Sequence, residues 1–143
     1  LIWTHRDPFT ATSSFCSIIS MGHQNFAGRI DHEWIGENVP WQAEEHVRRI
    51  MDVRGRIGED RIGDSHYGEL MRDPLGGMRK PYAALGAEFT PEPEAAMAAW
   101  LAENPQGKFG KHEYKLAQWG LSKEKLEPRF AEYLSKYDVE LEG

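Results

Sequence analysis

A guanidinium and a hydroxyl eight residues apart, Arg6 and Ser14, open the chain. Arg6 follows Leu1 to His5, which reads as a short buried strand. Pro8 has no amide hydrogen to continue a ladder, so Arg6-Asp7-Pro8 ends that strand. Thr12 to Met21 is compatible with a helix that carries Phe15, Ile18 and Ile19 on one side. Thr10, Thr12, Ser13 and Ser14 crowd its start, where hydroxyls cap amides, and Ser14 is expected on the first turn. Amides at a helix start point outward and carry partial positive charge. A guanidinium beside them offers a planar donor pair that fits two phosphate oxygens, and a serine adds a third donor. The chemistry this spacing suggests is phosphate binding. The competing reading pairs Arg6 with Asp7 or another surface carboxylate and leaves Ser14 as a cap.

A second basic cluster, Lys108, Gly110 and Lys111, lies in a stretch rich in glycine and lysine, Gln106 to Gly120. Glycines let backbone amides approach an anion while lysine adds charge. The competing reading is a solvated loop. Other patterns lead nowhere. His5-Arg6-Asp7 resembles a kinase catalytic loop, but Thr12 stands where that loop needs asparagine. None of the 6 histidines sits in a metal-ligand spacing, so no metal is expected. Asp31, His32 and Glu33 read as a solvated loop.

The elements that must position these groups alternate between strand and helix. His23 to Pro40 has no clear period and reads as a loop or short irregular helix. Its Phe26 and Trp34, with the following Trp41, read either as the lining of a pocket or as aromatics left bare on the surface. Trp41 to Val53 is helical, with Val47, Ile50 and Met51 on one face and Glu44, Glu45, Arg48 and Arg49 on a solvated one. Arg61 to Tyr67 is a second strand, weakened by Gly63 and Asp64. Asp73-Pro74 and Thr90-Pro91 each open a helix. Pro81 should kink or shorten the first of these, and Trp100 is expected in the core of the second. Ser122 caps a last helix with the stripe Leu126, Phe130, Tyr133 and Tyr137. The expected class is α/β, mostly helical, with few strands.

The formal charge of −6 argues against a nucleic-acid polymer as partner. The single Cys16 suits a reducing compartment, and no apolar run is long enough to span a membrane, so a cytoplasmic location is expected. Leu1 in place of Met, and two strands where a sheet needs more, lead to the expectation of a sequence truncated upstream.

Three segments resemble the sulfotransferase family in its bacterial-type branch. Trp3-Thr4-His5-Arg6-Asp7-Pro8 with Ser13-Ser14-Phe15-Cys16-Ser17 looks like the family's 3′-phosphate-binding segment. Asp64-Ser65-His66-Tyr67-Gly68-Glu69-Leu70 before Asp73-Pro74 is similar to its Tyr-Glu-Asp-Leu strand end, although Gly68-Glu69 departs from that pattern. Gly107 to Tyr114 with Trp119-Gly120-Leu121 looks like its C-terminal signature. The resemblance implies the C-terminal part of a P-loop-NTPase-like sulfotransferase domain across residues 1–143. It implies 3′-phosphoadenosine 5′-phosphosulfate as co-substrate, with Arg6 and Ser14 on the 3′-phosphate, Tyr67 near the adenine, and Lys108, Gly110 and Lys111 in a closing segment. The acceptor would be a hydroxyl or amine of a small molecule, carbohydrate or lipid. The 5′-phosphosulfate loop and catalytic base are expected upstream of Leu1, so this stretch alone is expected to be inactive. The alternative is a non-catalytic helical module whose helices present partner faces.

Overall fold

The structure, a computed structural model, describes residues 1–105 and 115–142. Lys108, Gly110 and Lys111 therefore lie outside the described residues. In chain order the elements are β1 (Ile2–His5), α1 (Pro8–Ala27), α2 (His32–Ile57), a 3-10 turn (Glu59–Arg61), β2 (Gly63–His66), α3 (Tyr67–Arg72), α4 (Pro74–Ala84), α5 (Pro91–Glu103), a 3-10 turn (Leu116–Trp119) and α6 (Lys123–Lys136). The expected class holds: mostly helical, with β1 and β2 forming a two-stranded parallel sheet. The register pairs Ile2 with Gly63 and His5 with His66.

The chain divides into two units. The first comprises Leu1–His5 and Arg54–His112, the second Arg6–Val53 and Glu113–Gly143.

In the first unit, β2 packs on α4 through Gly63. A β-carbon there would stand 2.7 Å from the Pro81 carbonyl oxygen. The glycine that weakens the strand signal is what allows this close approach. Asp73 caps α4 as expected, accepting the Gly76 amide at 3.0 Å. α4 runs through Pro81 and ends at Ala84, just before Gly86, whose φ is 63°. α3 was not expected. Trp100 on α5 is 62% exposed, which corrects its assignment to the core.

The second unit holds two apolar clusters. Cys16, Ile35, Val39 and Trp119 form one, and Phe9, Leu126 and Phe130 the other. The last helix follows its sequence pattern: Ser122 caps it, and Leu126, Phe130 and Tyr133 are buried along its stripe. Burial pushes the Cys16 thiol up to about 11, consistent with an inert buried cysteine.

Two helices depart from expectation. α1 begins at Pro8, not Thr12, because the Asp7 carboxylate caps it. Its buried face runs Phe9, Thr12, Ser13, Cys16 and Ser20, a small and polar stripe that an apolar count misses, while Ile18 is 60% exposed. α2 begins at His32 and runs through Pro40, so the supposed loop is largely helix. Asp31 accepts the Trp34 amide at 3.0 Å at the start of α2. Ile35, Val39, Ala43 and Val47 recur every four residues along its packed face.

Gly36 on α2 meets the chain at Trp119, where a β-carbon would stand 2.1 Å from the carbonyl oxygen. Gly36→Ala is expected to lower stability by about 1–3 kcal/mol through overpacking. Gly22→Ala on α1, where nothing lies within 4 Å, is expected to raise it by about 0.5–1 kcal/mol. Thermal melts of the two variants give shifts of opposite sign if this packing is right.

Candidate functional site

Arg6 and Asp7 link the end of β1 to the start of α1, and both belong to the second unit. Asp7 is 1% exposed, and its carboxylate organises the corner. Oδ1 accepts the Phe9 amide at 2.8 Å, and Oδ2 accepts the Thr10 hydroxyl at 3.0 Å. Asp7 thus takes up one of the helix-start amides that the sequence offered to a phosphate. Oδ2 also accepts the backbone amide of Glu142 at 3.0 Å.

Arg6 is held by a carboxylate. Its Nε donates to Oε1 of Glu142 at 2.6 Å and its Nη2 to Oε2 at 3.0 Å. This is the competing reading of Arg6, with a partner 136 residues away in sequence instead of its neighbour. The pair is not sealed off, since the side chains of Arg6 and Glu142 are 29% and 35% exposed.

Ser14 is half-buried on α1, on the second turn and not the first, because the helix starts six residues earlier at Pro8. A rise of about 1.5 Å per residue puts it about 10 Å along the axis from Asp7, on the same face. A phosphate touching both groups therefore needs the Arg6 side chain to run up that face. The helix-start amides do not lie at Ser14.

Tyr67 opens α3 in the first unit and is half-buried. The first unit also holds a charged cluster around Asp64. His5 is 1% exposed, and its Nε2 lies 2.8 Å from Oδ1 of Asp64. Arg54 is 5% exposed, grips both Asp64 oxygens, with Nη2 to Oδ2 at 2.9 Å, and also donates to Glu59. Burial holds the His5 imidazole below the ordinary 6.5, outweighing the hydrogen bond it donates to Asp64, which works in the opposite direction. Burial would raise the Asp64 carboxyl, but hydrogen bonds from Arg54 and His5 bring it below its usual value. His5, set aside above with a false kinase motif, is a structural member of this cluster.

The second unit also contains an open cleft of about 690 Å³. Glu33, Glu37, Trp119, Lys125 and Arg129 help line it, and Arg6 and Ser14 do not. From the stretch expected to be a loop, His32, Glu33, Gly36, Glu37 and Pro40 help line this cleft. Phe26, Trp34 and Trp41 are 93%, 42% and 57% exposed and are not among its lining residues. Among the described residues no helix is long and apolar enough to cross a membrane.

A sulfotransferase-family model matches residues 1–92, which include Arg6, Ser14 and Tyr67. The chain belongs to the sulfotransferase family. Among solved structures, the sulfotransferase STF9 from Mycobacterium avium is similar over 100% of this chain, with 41% identity and a TM-score of 0.85. This sulfotransferase chain spans 37% of the length of that protein. Comparison with curated proteins gives no match. Glu142 and the Arg54–Asp64 pair are the residues that sequence reasoning about a sulfotransferase missed. No local pattern in the sequence pairs either of them with its partner.

Proposed function

We propose that the full-length protein transfers a sulfuryl group from 3′-phosphoadenosine 5′-phosphosulfate to a hydroxyl or amine acceptor, and that this chain binds the donor's 3′-phosphate through Arg6. The acceptor atom attacks sulfur, the bond from sulfur to the bridging 5′-phosphate oxygen breaks, and the acceptor's proton passes to a base. Such a displacement depends on in-line positioning, so a firm hold on a remote part of the donor serves the reaction directly. Groups that grip the 5′-phosphosulfate and take the proton are expected on residues outside this chain.

The observation that carries the reading is the two-point grip of the Arg6 guanidinium on paired carboxylate oxygens, at a residue matching the family's 3′-phosphate segment. A fork that fits two carboxylate oxygens also fits two phosphate oxygens. Ser14 adds a hydroxyl on the second turn of α1, and Ser14→Ala is a smaller perturbation than loss of the guanidinium. The roles of Tyr67 at the adenine and of Lys108, Gly110 and Lys111 in a closing segment belong to the same proposal, on the resemblance alone.

Arg6→Ala in the full-length protein is expected to weaken adenosine 3′,5′-bisphosphate binding by about 2–3 kcal/mol, because it removes charge-assisted donors from an anion. Titration calorimetry should show an affinity loss of roughly 30- to 150-fold. Unchanged affinity would mean that the phosphate lies elsewhere.

A further inference from the structure

We propose that Glu142 is a tethered competitor of the donor's 3′-phosphate and thereby sets donor affinity. This rests on the donor-binding reading of Arg6 above.

The geometry supplies three observations. First, both carboxylate oxygens of Glu142 engage Arg6, at Nε and Nη2, which is the two-point contact a phosphate would make. Second, the tail is docked, not loosely swept across. The Glu142 amide donates to the buried Asp7 carboxylate, the same group that caps α1 and holds Thr10. Third, the chain turns back as α6 ends. Asp138 adopts a left-handed conformation with φ of 47°, and the Val139 amide donates to the Leu134 carbonyl at 3.2 Å. The tail is therefore led from the end of α6 to the Arg6 corner by backbone contacts, and its carboxylate arrives in register with the guanidinium.

The energetics favour exchange. An ion pair with both side chains about one-third exposed is weak, because water screens it and two long side chains are immobilised. A phosphate dianion brought to the same fork would face the carboxylate at close range, and like charges repel. The carboxylate must then leave Arg6, while the backbone anchor at Asp7 keeps it near. A weak intramolecular partner on the fork scales the apparent affinity for an external one by the fraction of time that the fork is free. For a pair of this exposure the reduction is roughly three- to fivefold.

The test is calorimetric titration of the full-length protein with adenosine 3′,5′-bisphosphate and, separately, with adenosine 5′-monophosphate, which lacks the 3′-phosphate. Glu142→Gln and Glu142→Ala are each expected to tighten binding of the bisphosphate by roughly three- to fivefold and to leave the monophosphate unchanged. Arg6→Ala should weaken the bisphosphate in the same assay. If Arg6→Ala weakens binding but both Glu142 variants leave it unchanged or weaken it, the competitor role is overturned and the donor reading stands. Equal tightening of both nucleotides also overturns it, since the effect would then not act at the 3′-phosphate. If Arg6→Ala has no effect, the donor reading fails and this inference fails with it.

Discussion

Asp64→Ala is expected to destabilise the protein by about 3–5 kcal/mol, because it strips the shared carboxylate from a buried guanidinium and a buried imidazole. The Arg54 side chain is 6% exposed and that of His5 is not exposed at all, while Asp64 is 34% exposed, so solvent replaces only part of what is lost. Glu59 would remain on Arg54, but it is 61% exposed and satisfies one side of the guanidinium. Urea denaturation should show the midpoint falling with little change in slope. The double replacement Arg54→Met with Asp64→Leu should recover much of the loss, since a well-packed apolar pair can match a buried ion pair. A single variant as stable as the parent would show that the cluster is better hydrated than its burial indicates.

The same cluster predicts acid sensitivity. The His5 pKa is lowered on folding, so in acid the unfolded chain binds the proton first. Its contribution is complete above the ordinary 6.5 and is lost as the pH falls toward the folded value. The Asp64 pKa is also lowered, and its contribution is complete above 3.8 and is lost as the pH falls through its folded value. Stability measured against pH should therefore begin to decline below about 6.5, and His5→Gln should remove that first step. The strand end that carries Arg6 as its next residue is what this cluster fixes.

Phe130→Ala is the second large effect, an expected loss of about 3–5 kcal/mol. Phe130 is 1% exposed and packs in one cluster with Phe9 and Leu126. Truncation removes apolar contact and leaves a cavity that neighbours on helices fill poorly. Phe9 follows the Asp7 cap by two residues, so the loss should also loosen the corner that holds Arg6. Phe130→Leu, which keeps most of the volume, should cost much less. Chemical denaturation of both variants measures this directly, and equal effects would show that volume at this position is not what matters.

The legible parts of the sequence were those governed by neighbours along the chain. Asp73-Pro74, Thr90-Pro91 and Ser122 marked helix starts because caps and proline act within one turn. The stripe of α6 was readable because its period is intact. The first turns of α2 are not legible, because His32 to Pro40 shows no clear apolar period and contains Gly36 and Pro40. A proline inside a helix removes one hydrogen bond, and the burial of Ile35 and Val39 outweighs that loss. α1 was cut short because its buried face is small and polar, and this displaced Ser14 from the second turn to the first.

By itself the sequence determined the mixed helical and parallel-strand class, the helix caps, the last core stripe, and the motifs that place the chain among sulfotransferases. The class, the caps and the stripe follow from local backbone preference and periodicity, which act over a few residues, and the family placement rests on the resemblance of the motifs. Tertiary structure alone decided which carboxylates meet Arg6, Arg54 and His5. Glu142 reaches Arg6 across 136 residues and Asp64 reaches His5 across 59, and no local spacing encodes such pairs. Chain reversal and packing brought them together, because a buried or half-buried charge must find its partner wherever the fold places one.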